Sequence, residues 1–358
     1  MKAPRVLVSG GGTGGHIFPA VAIANAIKEK YPASDIEFVG AKGRMEMEKV
    51  PAEGYKIHGL WISGLQRSLD WRNLILPFKL LSSLFKSFVL VKRFKPDITI
   101  GVGGYASGPL NYVSSSLGIP LLLQEQNSFP GLTNKLLKNK ASCICVAYPG
   151  MDKYFTADKI VITGNPIRQN LASSDASKAS ALEHFGLDPS KKTVLIIGGS
   201  LGARSVNIGI EAHIENLQSD SQVLWQTGKS YGGETGSFEQ GVKTIFIKRM
   251  DLAYRAADIV ISRAGATSIS ELAVLSKACI FVPLPSAAED HQTKNAQSLV
   301  DKNAALLCPD KQADDLINMA NELLNDEPKI QALEREIKSF AKPHAAKEIL
   351  TQIEKLIE

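Results

Sequence analysis

The 358-residue sequence has only four cysteines, Cys143, Cys145, Cys279 and Cys308, and no C-x-x-C pair among them. That excludes a disulfide scaffold, and Cys143 and Cys145 alternate inside an apolar run as reduced core thiols on a buried strand do. No D-x-D occurs and no two His or Cys residues have metal-ligand spacing, so no obligatory divalent metal held between paired carboxylates is expected. Nor does any run approach the roughly 18 uninterrupted apolar residues of a membrane span. The N-terminal apolar run, Val6 to Val8, ends in a glycine cluster instead of a cleavable signal region. These absences predict a cytoplasmic protein whose membrane contact is peripheral. With Gly 29 and Pro 17 the chain is neither collagen-like nor of low complexity. Its 44% hydrophobic content suffices for the cores of about two domains.

Charge is unevenly placed. Residues 1–163 carry 20 Lys and Arg against 11 Asp and Glu, and residues 164–358 carry 21 against 25. A basic first half calls for an acidic partner, whether nucleic acid, an anionic membrane surface or a phosphorylated substrate. Short β-branched runs, Arg5–Ser9, Ile36–Val39 and Ile98–Ile100, each meet a glycine and alternate with segments of helical periodicity. The layout restarts at Thr193–Ile197, with further strands predicted at Val223–Gln226, Thr244–Ile247, Ile259–Ser262 and Ala278–Val282. Two α/β domains in tandem follow, 1–165 and 166–342, each a Rossmann-like doubly wound parallel sheet, the two facing across a cleft. The Ser-, Ala-, Asp- and Lys-rich stretch 169–191 suits the connection. Ile349, Ile353 and Ile357 mark a terminal amphipathic helix over 343–358, placed to pack on the first domain.

In such sheets, ligands bind beyond the carboxyl ends of the strands, where glycine loops and helix N-termini attract anions. Glycine-rich loops occupy those positions at Gly10–His16, Val102–Gly108, Gly198–Ala203 and Arg263–Glu271. Gly10, Gly12 and Gly15 satisfy G-x-G-x-x-G, which admits a dinucleotide oxidoreductase. That fingerprint needs an acid after the second strand, and Gly40-Ala41-Lys42 stands there instead. His16 follows its loop where a helix begins, which disfavours imidazolium and suits a base near neutral pH; the plainer reading is a ring bonded to a loop carbonyl. Ser268-Ile-Ser-Glu271 matches a capping box, yet a carboxylate there also suits a ribose diol. His291, Gln292 and Asn295 offer the hydrogen-bonding groups that a sugar requires, or simply a polar helix start. Glu125-Gln-Asn127 ends another strand with a carboxylate and an amide.

Residues 67–95 hold seven cations, Arg67, Arg72, Lys79, Lys86, Lys92, Arg93 and Lys95, against the single acid Asp70. On a helix starting near Pro77, Leu80, Leu84, Phe88 and Val91 share one face, with Lys79, Ser82, Lys86 and Arg93 roughly opposite. Leu74–Leu76 precede it, and Phe78 and Phe85 lie toward the polar side. Apolar groups ringed by cations suit anionic lipid headgroups; a core helix with a solvated face has the same periodicity.

Seven motifs, Gly11–His16, Gly103–Pro109, Glu125–Asn127 with Gly131–Asn134, Gly164–Arg168, Gly198–Ala203, Arg263–Glu271 and Asp290–Asn295, occur in the order seen in one family across nearly the whole chain. The sequence resembles the MurG family, transferases that move N-acetylglucosamine from UDP-N-acetylglucosamine to lipid I, undecaprenyl-pyrophosphoryl-MurNAc-pentapeptide, to make lipid II. The resemblance implies a glycosyltransferase-B fold, a membrane-facing acceptor domain first and a donor domain second. It implies a peripheral enzyme on the cytoplasmic face of the plasma membrane, with no cofactor and no nucleic acid. Carried over, Thr13, Gly14, Gly15 and Asn127 lie by the donor sugar and diphosphate, with Arg168 and Ser200 also on the donor. Backbone at Ile247 reads the uracil. Ala266, Thr267, Ser268, Ile269 and Ser270 hold the phosphates, Glu271 the ribose diol, and Gln292 and Asn295 the sugar hydroxyls. Leu201 stands where the family often has glutamine, and Ser268 where threonine is usual. The family-like reaction is one displacement with inversion, for which His16 is the first candidate base and Glu125 the second. A nucleotide-sugar epimerase and a non-catalytic UDP-sugar-binding protein of the same fold are the alternatives.

Overall fold

The computed structural model describes residues 3–64, 75–168, 171, 176–199, 202–287 and 290–358. The chain divides into two compact units, Met1–Arg168 with His344–Glu358, and Gln169–Pro343. In the first, the strands are β1 (Arg5–Ser9), β2 (Asp35–Ala41), β3 (Lys56–Leu60), β4 (Ile98–Gly101), β5 (Leu121–Glu125), β6 (Cys143–Val146) and β7 (Ile160–Ile162). They form one parallel sheet in the order β3-β2-β1-β4-β5-β6-β7. The central strands are covered on both faces, which is why Val6, Leu7 and Val8 are all fully buried and the strand reads as a continuous apolar run. Helices Gly14–Lys30 and Ala345–Ile357 pack one face, through Ile17, Ile23, Ile349 and Ile353. Helices Leu76–Phe94 and Ser107–Ser116 pack the other, through Leu90, Phe94 and Leu110. The chain order reverses between β1 and β4, so the crevice for a ligand opens beside the loops that follow these two strands.

The second unit repeats the plan with β8 (Lys192–Ile197), β9 (Ser221–Gln226), β10 (Gly236–Phe238), β11 (Gly241–Thr244), β12 (Ile259–Ser262), β13 (Ala278–Phe281) and β14 (Leu306–Leu307). The order is β10-β11-β9-β8-β12-β13-β14, with β10 alone antiparallel to its neighbour. Its switch point lies between β8 and β12. Two local expectations are corrected. The strand predicted at Thr244–Ile247 runs instead over Gly241–Thr244, in register with Val223–Gln226. A Cβ at Gly241 would collide with the Val223 backbone, so only a glycine lets the chain lie this close and pair here.

The second correction concerns helix Leu76–Phe94. Its buried face is Ser83, Ser87, Leu90, Val91 and Phe94, so of the four residues assigned to one face only Val91 is buried. The two serines permit a close approach, and the Ser83 hydroxyl donates to the Trp61 carbonyl at 3.1 Å. Lys86 reaches back to the Gly59 carbonyl (2.7 Å) and Lys79 to the Ser63 hydroxyl (3.0 Å), so neither is merely solvated. The bulky residues turn outward: Phe78, Leu81 and Phe85 are 67%, 64% and 71% exposed. No helix among the described residues is long and apolar enough to cross a membrane. Arg67, Asp70, Arg72 and Leu74 lie outside the described residues.

Candidate functional site

In the first unit, β1 ends at Ser9 and helix Gly14–Lys30 opens after the glycine loop, with Thr13 as its extended N-cap. Gly14 and Gly15 supply backbone N–H groups of the first turn, which have no preceding helical carbonyl to bond and so suit an anion. His16 Nδ1 lies 3.1 Å from the Gly11 carbonyl and 3.2 Å from Thr13 Oγ1. A carbonyl only accepts, so the first contact is Nδ1–H donating to it, and in the neutral ring the lone pair is then on Nε2. The ring therefore has the loop-carbonyl bond of the plainer reading and also the tautomer a base requires. Arg168 stacks over the Phe18 ring, 5.1 Å from its centroid, one turn into the same helix.

The loop after β5 is organised by Glu125. Its carboxylate, 2% exposed, accepts from the N–H (3.1 Å) and Nδ2 (3.2 Å) of Asn127, the N–H of Gly131 (3.0 Å) and Nδ2 of Asn134 (2.8 Å). Burial pushes its pKa up, and the surrounding donors oppose the shift. Both oxygens are thus engaged in holding the loop, which leaves His16 the better placed proton acceptor. Beneath it, Gln124 donates to Asn165 (3.0 Å), and Asn165 donates to the Gln126 carbonyl (3.0 Å), which ties the loop after β7 to the one after β5.

In the second unit, helix Ala266–Val274 follows β12 through Gly265, its extended N-cap. The Ser268–Glu271 capping box does not form. The helix begins two residues before Ser268 because Ile269 and Leu272 must face the core, so Ser268 is its third residue and Glu271 lies in its second turn. Glu271, 2% exposed, instead accepts from the Tyr254 hydroxyl at 3.1 Å. The Thr267 hydroxyl is buried with no hydrogen-bond partner among the described residues, and that of Ser270 donates to the Ala266 carbonyl at 2.9 Å. The Ile247 N–H donates to Gln226 Oε1 (2.8 Å), whose Nε2 donates to the Gly199 carbonyl (3.1 Å). Gln226 so couples the ends of β8, β9 and β11. Gln292 and Asn295 lie on helix His291–Val300; Gln292 Oε1 accepts from the Leu284 N–H (3.0 Å) and Asn295 is fully buried. Ser200 and Leu201 lie outside the described residues.

Three residues that shape these loops escape sequence reading: Glu46, Gln226 and Tyr254. Glu46 sits in Arg44-Met-Glu-Met-Glu48, which reads as a solvated helix start, yet it is fully buried. Arg263, which opens the loop Arg263–Glu271, is committed to the fold: it pairs with Asp310 (2.5 Å) and donates to the carbonyls of Val282 and Pro283 (3.1 Å each). Among the described residues no group of three His, Cys, Asp or Glu is placed to hold a metal ion.

Comparison with known proteins agrees with this two-unit layout. Residues 6–146 match the glycosyltransferase family 28 N-terminal domain, and residues 193–349 its C-terminal domain. The UDP-N-acetylglucosamine–N-acetylmuramyl-(pentapeptide) pyrophosphoryl-undecaprenol N-acetylglucosamine transferase of Flavobacterium psychrophilum is 52% identical over 363 residues, covering 100% of this chain and 99% of that protein. The protein of the same name from Parabacteroides distasonis is 51% identical over 366 residues, covering all of both. Among solved structures, MurG of Acinetobacter baumannii superposes with a TM-score of 0.77 at 28% identity, over 98% of this chain and 99% of that one. A putative UDP-N-acetylglucosamine 2-epimerase from Listeria monocytogenes, 14% identical with a TM-score of 0.72 over 100% and 97% of the two chains, shares the fold alone. The fold is glycosyltransferase-B, and the chain belongs to glycosyltransferase family 28, within its MurG group of N-acetylglucosamine transferases.

Proposed function

We propose that this enzyme transfers N-acetylglucosamine from UDP-N-acetylglucosamine to the C4 hydroxyl of the muramoyl unit of lipid I, giving lipid II, at the cytoplasmic face of the plasma membrane. The observation that carries the reading is the edge of the second unit. A helix N-terminus, a buried Thr267 hydroxyl without a hydrogen-bond partner among the described residues and the buried Glu271 carboxylate one turn deeper are what a nucleoside diphosphate needs: donors for phosphate, an acceptor for a ribose diol. Ala266, Thr267, Ser268, Ile269 and Ser270 take the phosphates, backbone at Ile247 the uracil, and Gln292 and Asn295 the sugar hydroxyls. Ser200 is assigned to the same donor. In the first unit, Thr13, Gly14, Gly15, Asn127 and Arg168 are the groups turned to the donor's sugar and diphosphate, and the acceptor belongs to this unit.

The chemistry follows from the His16 tautomer. The C4 oxygen attacks the anomeric carbon, the bond from that carbon to the diphosphate oxygen breaks, and UDP leaves with inversion. Nε2 of His16 takes the C4 proton, which becomes more acidic as the oxygen shares its electron pair with the anomeric carbon. Charge developing on the leaving diphosphate is met by fixed N–H dipoles. The outward Phe78, Leu81 and Phe85 beside Lys79 and Lys92 rest on anionic headgroups.

Release of UDP from UDP-N-acetylglucosamine, followed with and without a lipid-linked muramoyl acceptor, tests the reading. Release that depends on the acceptor supports it, and UDP-sugar binding without transfer to lipid overturns it.

A further inference from the structure

The peptide between Gly11 and Gly12 is held at both of its polar ends. Its carbonyl accepts from His16 Nδ1 at 3.1 Å, and its N–H donates to Glu46 Oε2 at 3.0 Å. The other oxygen, Oε1, accepts from the Ala41 N–H at 3.0 Å, which anchors the carboxylate to the end of β2. Glu46 is fully buried, and its two oxygens accept from these two backbone N–H groups. The loop is also clamped sterically. A Cβ on Gly11 would collide with Glu46 Oε1, and a Cβ on Gly104, whose φ is +81°, would collide with the Gly11 carbonyl. The other edge of the imidazole, Cδ2 and Nε2, lies over Gly103, where a Cβ would approach to 2.9 and 3.1 Å.

We propose that Glu46 is the positioning residue of the transfer reaction, acting on His16 through the intervening Gly11–Gly12 peptide. A carboxylate that accepts from a peptide N–H increases the negative charge on the carbonyl at the other end of that peptide, because hydrogen bonds in a chain polarise one another. The more negative carbonyl holds Nδ1–H more firmly, fixes the tautomer with its lone pair on Nε2 and stabilises the imidazolium formed when Nε2 takes the acceptor's proton. The arrangement does the work of a carboxylate bonded directly to a catalytic imidazole, with one peptide unit interposed. It also accounts for a buried acid in a short segment, Glu46–Ala52, that otherwise packs as an ordinary helix. No proton passes to Glu46.

The inference rests on the reading of His16 as the base, and the experiment separates the two. In the full-length enzyme, Glu46→Gln keeps the size of the side chain but leaves one oxygen for two N–H donors, and Glu46→Asp keeps the charge. Each variant, with His16→Ala beside it, is assayed for kcat, KM for UDP-N-acetylglucosamine and thermal midpoint, and the His16 ring nitrogens are titrated by NMR. The expected result for Glu46→Gln is a kcat about 10- to 100-fold lower with KM within about twofold. Its His16 titration moves to lower pH, the Nδ1–H tautomer loses population, and Glu46→Asp recovers part of both effects. A His16 titration and tautomer unchanged in Glu46→Gln, or a kcat loss matched only by a fall in thermal midpoint, overturns the positioning role. Unaltered turnover in His16→Ala instead removes the base, and with it the reading on which this inference depends.

Discussion

At the scale of single residues, the two buried acids Glu125 and Glu271 have opposite environments. Glu125 is saturated by four donors and holds a loop; the Glu271 carboxylate accepts from the Tyr254 hydroxyl, which on the proposed reading a ribose diol would displace or share. Glu271→Ala is therefore expected to raise KM for UDP-N-acetylglucosamine by about tenfold or more, the loss of a hydrogen bond to a charged group. Tyr254→Phe should raise it by less, and steady-state kinetics on both variants checks the order. His16→Ala should lower kcat by about 100-fold or more while UDP affinity, read by calorimetry, stays within about twofold. Glu125, Gln292 and Asn295 were visible in the sequence because they end strands or begin helices. Tyr254 and Glu46 were not, since nothing local distinguishes an exposed tyrosine or glutamate from one that the fold buries against a loop about 17 or 34 residues away.

At the scale of elements, two helices extend what the sheets do. Helix Ala345–Ile357 returns to the first unit, where Glu354 accepts from the Tyr31 hydroxyl (2.5 Å) and pairs with Lys30 (2.5 Å). Hydrogen bonds from Lys30 and then Tyr31 hold the Glu354 pKa below the usual glutamate range. Its stabilising contribution is thus present above that range and is lost as pH falls through the depressed value. Glu354→Gln should lower the thermal midpoint at pH 7 by about 2 °C, a difference that vanishes as pH falls through the depressed pKa, as differential scanning calorimetry will show. Helix Leu76–Phe94 was legible as a helix and as basic and greasy, yet its orientation was not. Periodicity left open whether the apolar stripe faces a core or lipid; in the structure Ser83 and Ser87 pack closely, and Phe78 and Phe85, placed toward the polar side by the sequence, are exposed. Phe78→Ser with Phe85→Ser should reduce sedimentation with anionic vesicles several-fold and leave UDP affinity unchanged.

At the scale of the whole molecule, one folding plan is used twice, and the proposed function gives each copy a different partner. Hydrogen exchange on the full chain should register this. UDP is expected to slow exchange over residues 265–271 and 245–247 and to leave 76–94 unaltered, whereas anionic vesicles should do the converse; equal protection of both regions by either ligand would refute the division. The sequence by itself determined the two doubly wound layers, because parallel strands buried on both faces must be written as short apolar runs ending in glycine, a local signal. It also determined where the glycine-rich loops Gly10–His16 and Arg263–Glu271 lie, at the ends of strands, where such sheets bind ligands. Only the tertiary structure decided which polar residues those loops lean on. The carboxylate behind the Gly11–Gly12 peptide, the hydroxyl on Glu271 and the amide joining β8 to β11 come from distant positions, and their contacts depend on how strands pair and helices pack, for which no local pattern of residues exists.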